Sequence, residues 1–219
     1  MALGAGSVTP MQMAGAYSVF ANGGYRINPW LIAKVTDQKG KTLVETKPPA
    51  LDESMRGISA RNSFMMTNLL GEVTLRGTAA RAQATLKRPD VYGKTGTTND
   101  SIDAWFAGYH PTLVGVAWIG YDTPRNLGSR ETGGGLSLPV WINFMETALK
   151  GVPIVTPVPP PGVVNSGGEW FYDEYVKAAG VTSLGLDDKG ASASNNGAPV
   201  TPPPPQAEER NRILDLFRN

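Results

Sequence analysis

An α+β fold, an antiparallel sheet flanked by helices, is what this sequence predicts, and three observations carry it. Three β-rich runs, residues 91–97, 102–109 and 113–121, follow one another with short polar connections. Parallel strands would need crossovers of about a dozen residues or more, so the runs read as an antiparallel meander. Segments with apolar residues at helical spacing stand on both sides of them. From Val152 the composition shifts to Pro, Gly and Ser. A domain over residues 1–151 is therefore expected to be followed by a largely disordered extension over residues 152–219.

The elements can be justified in order. Thr9-Pro10-Met11-Gln12 starts a helix: Thr9 caps it, Pro10 sits where its missing N–H is not needed, and Gln12 closes a capping box. Met13, Ala16, Tyr17, Phe20 and Ala21 recur at helical spacing, Met11 and Met13 read as core packing, and Gly23-Gly24 stops the helix. Residues 30–36 and 41–45 flank Asp37-Gln38-Lys39-Gly40 as a hairpin. Ser59 caps a second helix with Phe64, Met65, Leu69 and Val73 as its buried stripe and Gly77 at its end. Arg56, Arg61, Arg76 and Arg81 are spread over this region and read as solvated helix faces and ends rather than as a phosphate or nucleic-acid patch.

In the sheet, Trp105, Phe106, Tyr109, Trp118 and Tyr121 supply the covering, and Asn99-Asp100-Ser101 fits either a tight turn or a glycosylation acceptor. His110, before Pro111, is expected as a surface turn residue. Gly133-Gly134-Gly135 lacks the Lys-Ser or Lys-Thr of a phosphate cradle and reads as a flexible loop. The helix after it opens at Ser137 or Leu138 with Pro139 in its first turn, and Val140, Trp141, Phe144, Met145, Ala148 and Leu149 form a wide apolar face. Residues 169–175 are aromatic enough to dock onto the domain, and residues 208–217 suit a short helix.

Composition excludes several functions. The net charge of the 219 residues is +1 with both signs interspersed, so nothing here recruits nucleic acid or a membrane surface by charge. Without cysteine there is no disulfide or thiolate chemistry. No basic and apolar leader and no run of about eighteen apolar residues is present, so the chain alone reads as soluble and is not expected to insert into a membrane. No set of His or acids has metal-ligand spacing, and no cofactor is implied. His110 is the sole imidazole for a hydrolytic triad, and the pairs Asp100 with Asp103 and Asp122 with Glu131 are accounted for by turns and strand ends.

Chemistry concentrates in residues 91–109. Alternation along a strand puts the hydroxyls of Thr95 and Thr97 on one face and the Lys94 ammonium on the other, while Gly96 keeps side-chain bulk away. Two hydroxyls, a cation and an unobstructed strand backbone suit the anionic end of a peptide.

Lys94-Thr95-Gly96-Thr97 resembles the Lys-Thr-Gly motif shared by penicillin-binding proteins and serine β-lactamases. Tyr92-Gly93 before it, Thr98 after it and Asp103-Ala104-Trp105-Phe106-Ala107-Gly108-Tyr109 beyond it resemble the transpeptidase domain of class A, bifunctional penicillin-binding proteins of the Gram-negative type. So do Gly6-Ser7-Val8-Thr9-Pro10-Met11-Gln12-Met13, Phe20-Ala21-Asn22-Gly23-Gly24 and Gly133-Gly134-Gly135-Leu136, a likeness that reaches about Gly151. The resemblance implies part of a serine β-lactamase/transpeptidase-like fold and cross-linking of cell-wall peptides through a serine acyl-enzyme. It implies catalytic roles for Lys94 and for Thr97, whose N–H would form one side of the oxyanion hole. Thr95, Gly96, Thr97 and Thr98 would bind a peptidoglycan stem peptide ending in D-Ala-D-Ala, or a β-lactam.

No serine here has a lysine three places on, and the only Ser-x-Asn, Ser194-Asn195-Asn196, lies in low-complexity sequence. The nucleophile, its lysine and the Ser-x-Asn motif are thus expected in an upstream half of the domain, and this chain alone is expected to be inactive. In the complete protein the site would lie on the periplasmic face of the inner membrane. Loss of that half would leave apolar surface exposed. A non-enzymatic module offering an open strand edge to peptides or partners, or a truncated remnant, are the alternatives.

Overall fold

Thr9 and Gln12 close the expected capping box, and helix α1 (Pro10–Ala21) runs from it to an Asn22 cap. The computed structural model describes residues 6–177, so the helix expected over residues 208–217 lies outside the described residues. After α1 comes an exposed hairpin, β1 (Lys34–Thr36) and β2 (Thr42–Glu45), whose first strand is shorter than expected. The Asp37 carboxylate fixes its turn by accepting from the N–H groups of Lys39 and Lys41, each at 2.9 Å.

Helix α2 (Ala60–Leu75) is capped by the Ser59 hydroxyl, as expected, and a short α3 (Arg81–Leu86) that the sequence did not announce follows it. The meander is β3 (Tyr92–Thr97), β4 (Ala104–His110) and β5 (Leu113–Ile119), antiparallel in that order. Helix α4 (Ser137–Ala148), a second hairpin of β6 (Val163–Ser166) and β7 (Glu169–Tyr172), and α5 (Asp173–Lys177) complete the described residues.

Register decides which side chains share a face. Thr95 pairs with Phe106 and Phe106 with Ala117, while Lys94 pairs with Ala107 and Ala107 with Val116. On the Phe106 face, Val91 and Phe106 pack with Leu138, Trp141, Ile142 and Met145 of α4 and with Ala79 and Ala82. On the opposite face Tyr92 and Tyr109 pack with Leu70, Tyr17 and Phe20 of α2 and α1. The sheet is thus sandwiched between two helical layers.

Trp141 is the anchor of the first layer. Its ring meets Phe106 edge-on at 4.9 Å, and its Nε1 donates to the Gly115 carbonyl at 3.1 Å. The paired Gly108 and Gly115 make its seat: a Cβ on them would come within 3.0 Å and 2.8 Å of the indole. Side chains at either position would expel the ring.

Several expectations give way to packing. Met11 is 43% exposed, and no residue of α1 is fully buried; its Tyr17, Phe20 and Ala21 pack against Tyr92, Tyr109 and Leu70, a cluster in which Met11 takes no part. In α2 the buried residues are Ser63, Phe64, Thr67, Leu70 and Thr74, whereas Leu69 is 61% exposed. The stripe is rotated because two hydroxyls hold the helix to the sheet, Thr67 to the Tyr109 hydroxyl and Thr74 to the Val91 carbonyl, both at 2.7 Å. The apolar face of α4 is narrower than expected, with Val140, Phe144 and Ala148 exposed. Of the sheet aromatics, Phe106 and Tyr109 are buried but Trp118 and Tyr121 are exposed.

His110 is not a surface turn residue; it is fully buried. Its Nδ1 lies 3.2 Å from Thr112 N–H, and its Nε2 stands 3.1 Å from Asp90 Oδ2 and 3.2 Å from Arg88 Nη2. Burial pushes the imidazole pKa down, against the opposing pull of Asp90. Burial would raise the Asp90 carboxyl, yet its bonds from Arg88 and Val155 N–H outweigh this and hold it below the usual range. Arg88 also donates to the Val152 and Pro153 carbonyls at 2.9 and 3.0 Å, so the cluster pins the chain leaving α4 to the sheet end.

The segment after Val152 is also more structured than its prolines suggested. Trp170 of β7 stacks edge-on against Phe64 at 5.0 Å, Tyr172 donates its hydroxyl to Asn62 at 2.6 Å, and Arg61 pairs with Glu174 at 2.8 Å. Through these contacts the second hairpin and α5 dock onto the start of α2.

Candidate functional site

The signature residues sit on the outer strand of the sheet. β4 pairs with β3 on one side, and no strand pairs with its other side among the described residues. Thr98 N–H donates to the Asp103 carbonyl at 3.1 Å, across the ladder. Alternation then turns the N–H and C=O groups of Thr95 and Thr97 toward the open edge. The Thr98 hydroxyl accepts from Asp103 N–H at 2.7 Å, so Thr98 ties the β3–β4 connection and points away from that edge. The connection itself is tight, with Asp100 and Ser101 at φ of 59° and 49°.

Lys94 leaves the opposite face from Thr95 and Thr97 and is exposed. Its Nζ curls over the edge to donate to the Thr95 carbonyl at 2.8 Å and to Thr95 Oγ1 at 3.2 Å. The ammonium and the hydroxyls thus meet at one rim of the sheet although the side chains start on different faces.

Each of the two hydroxyls is held from outside the sheet. Thr78, between α2 and α3, places Oγ1 at 2.7 Å from Thr95 Oγ1. Gly133 N–H donates to Thr97 Oγ1 at 3.1 Å. Between Thr95 and Thr97 this face shows bare backbone, because position 96 and its partner Trp105 both project to the other face. Gly133 fits into that gap so closely that a Cβ on it would lie 2.3 Å from the Trp105 carbonyl oxygen and 2.4 Å from that of Gly96. The glycine run is therefore a fitted contact rather than a flexible loop. Ser137 fixes its far end by donating to the Ala104 carbonyl at 2.7 Å.

Sequence reasoning named the strand but missed Thr78 and the role of Gly133. The glycine run was a visible signal; nothing near Thr78 pointed to β3. Chemically, the rim presents two outward N–H groups, two hydroxyls and an ammonium, a set that holds an anion. His110, the only imidazole, is buried in the Asp90 cluster and takes no part. Among the described residues no group of three or more His, Asp or Glu could hold a metal, and no helix is long and apolar enough to cross a membrane.

Comparison with known proteins places the chain in a family. Residues 1–146 match the family described as penicillin binding protein transpeptidase domain. Penicillin-binding protein 1A of Neisseria flavescens is 42% identical over 191 residues, which cover 87% of this chain and 24% of the relative. Penicillin-binding protein 1A of Pseudomonas aeruginosa is 40% identical, with 75% of this chain and 26% of the relative covered. The crystal structure of penicillin-binding protein 1A from Haemophilus influenzae aligns with a TM-score of 0.70 and 34% identity over 78% of this chain and 33% of that one. The chain spans about a quarter of the length of the curated relatives it matches. With the Lys-Thr-Gly-Thr strand at an open sheet edge and two thirds of its residues inside the family match, the chain belongs to the penicillin-binding protein transpeptidase domain family.

Proposed function

We propose that this chain is the C-terminal part of a serine-type D,D-transpeptidase domain, which cross-links peptidoglycan stem peptides by acyl transfer and is acylated by β-lactams. The observation that carries the reading is the open edge of β3, where the backbone groups of Thr95 and Thr97 face outward beside their own hydroxyls and the Lys94 ammonium. A stem peptide ending in D-Ala-D-Ala lies along that edge. Its terminal carboxylate takes hydrogen bonds from the Thr95 and Thr97 hydroxyls, and Lys94 adds positive field. A serine supplied by another segment attacks the penultimate carbonyl carbon, its proton passing through the accompanying lysine to the amide nitrogen as the C–N bond breaks. The oxygen becomes an oxyanion between Thr97 N–H and the nucleophile's own N–H, and the terminal D-Ala leaves as the acyl-enzyme forms.

Lys94 and Thr97 are the catalytic contributions of this chain, Thr95, Gly96 and Thr97 its substrate contacts, and Thr98 acts by shaping the strand end. The serine, its lysine and the Ser-x-Asn motif come from sequence beyond these residues, since none of the serines here has a lysine three places on. The full-length protein works at the periplasmic face of the inner membrane.

Labelling with a fluorescent penicillin tests this. The longer protein that includes the nucleophile should keep the label after denaturation, and the present chain alone should not. Thr97→Ala should still be acylated, because the backbone N–H survives, but at higher penicillin concentration. Covalent label on the isolated chain, or none on the longer protein, would refute the reading.

A further inference from the structure

Thr95 and Thr97 share an arrangement that has a chemical consequence. A hydroxyl has one proton and two acceptor positions, and where its proton points depends on what already donates to the oxygen. Thr97 Oγ1 accepts from Gly133 N–H at 3.1 Å, so its proton is free for another acceptor. Thr95 Oγ1 accepts from Lys94 Nζ at 3.2 Å and has Thr78 Oγ1 at 2.7 Å. If Thr95 gave its proton to Thr78, nothing would remain for a ligand. When Thr78 donates, both acceptor positions of Thr95 are filled and its proton must turn outward.

Thr78 is exposed and stands on the same rim, in the turn that follows α2. Its carbonyl lies 3.3 Å from where a Cβ on Gly134 would be, so the Thr78 turn and the glycine run flank the two strand hydroxyls from outside the sheet. An anion arriving at the edge polarises the chain from Thr78 through Thr95 in the required direction, because a hydroxyl that accepts a hydrogen bond donates more strongly.

We propose that Thr78 is a positioning residue for carboxylate recognition: by donating to Thr95 Oγ1 it aims the Thr95 proton at the anionic end of the ligand. This rests on the transpeptidase reading above. The role belongs to the hydroxyl rather than to the bulk of the side chain.

The test uses the longer protein that carries the nucleophile, with benzylpenicillin and its methyl ester, which lacks the anionic carboxylate. Acylation is followed against concentration to separate the half-saturation constant from the limiting rate. Thr78→Val keeps the shape and removes the hydroxyl. It should raise the half-saturation constant for the acid about tenfold or more, as expected for weakening a hydrogen bond to a charged group. The limiting rate and the response to the ester should stay within about twofold, and Thr78→Ser should restore recognition of the acid. Acid kinetics matching wild type, equal losses for acid and ester, or no rescue by serine would each overturn the proposal. Should the valine variant fail to fold, Thr78→Ala removes the same hydroxyl with less bulk and is judged by the same comparison. A wild-type protein that takes no covalent label would instead defeat the transpeptidase reading itself.

Discussion

Replacing Gly133 by alanine tests the contact that seats the glycine run on β3. Its backbone does not occupy the left-handed region, so alanine meets no conformational barrier and the penalty is purely steric. The added Cβ would lie 2.3 Å and 2.4 Å from the carbonyl oxygens of Trp105 and Gly96. Those atoms belong to paired strands and cannot retreat without opening the ladder, so the loop must lift by about 1 Å to reach ordinary contact. The 3.1 Å bond from Gly133 N–H to Thr97 Oγ1 then stretches beyond hydrogen-bonding range. Overpacking contributes about 1–3 kcal/mol and the lost bond about 1 kcal/mol, giving a destabilisation of roughly 2–4 kcal/mol. In a chain of this size that lowers Tm by roughly 4–16 °C. Gly135→Ala is the control, because its Cβ would find Thr132 atoms no nearer than 3.4 Å, and it should stay within about 0.5 kcal/mol. Thermal unfolding followed by circular dichroism compares the two. Equal Tm values for Gly133→Ala and Gly135→Ala would refute the reasoning.

Two further outcomes follow from the packing. The folded protein holds the pKa of His110 below its ordinary value, so as pH falls the unfolded chain takes up a proton that the folded chain refuses. Stability should therefore fall from about pH 7 downward, and the depressed Asp90 carboxyl adds a second loss only below about pH 4. Urea midpoints at about pH 7.5 and about pH 5.5 should differ in wild type and converge in His110→Gln; an unchanged wild-type midpoint would exclude this. On α4, Val140→Gln and Phe144→Gln should each alter unfolding free energy by less than about 0.5 kcal/mol, since both side chains are more than half exposed. Trp141→Ala should cost about 3–5 kcal/mol on its seat of two glycines, and similar losses for all three variants would contradict the assigned face.

Some of this molecule is written locally. The cap at Thr9-Gln12, the cap at Ser59, the three strands and the helix opening at Ser137 all depend on residues within one or two turns of each other, and each forms close to where the sequence placed it. The opposite faces of Lys94 and Thr95 follow from strand alternation alone. Other features depend on partners far along the chain. The burial of His110 needs Asp90 and Arg88, which lie about twenty residues earlier, and the rotated stripe of α2 needs hydroxyl bonds to Tyr109 and Val91. A helix that is apolar on more than one side, as α1 and α4 are, does not reveal which side the sheet will cover.

The candidate site divides in the same way. Short-range order, residue spacing and motif were enough to single out Lys94-Thr95-Gly96-Thr97 and to orient its side chains. Tertiary folding alone brought Thr78 and Gly133 against the two threonine hydroxyls and left that edge of β3 without a strand partner among the described residues. The physical reason is that strand alternation repeats every two residues, whereas the hydroxyl contacts join residues 17 and 36 positions apart, a separation that only the packed chain closes.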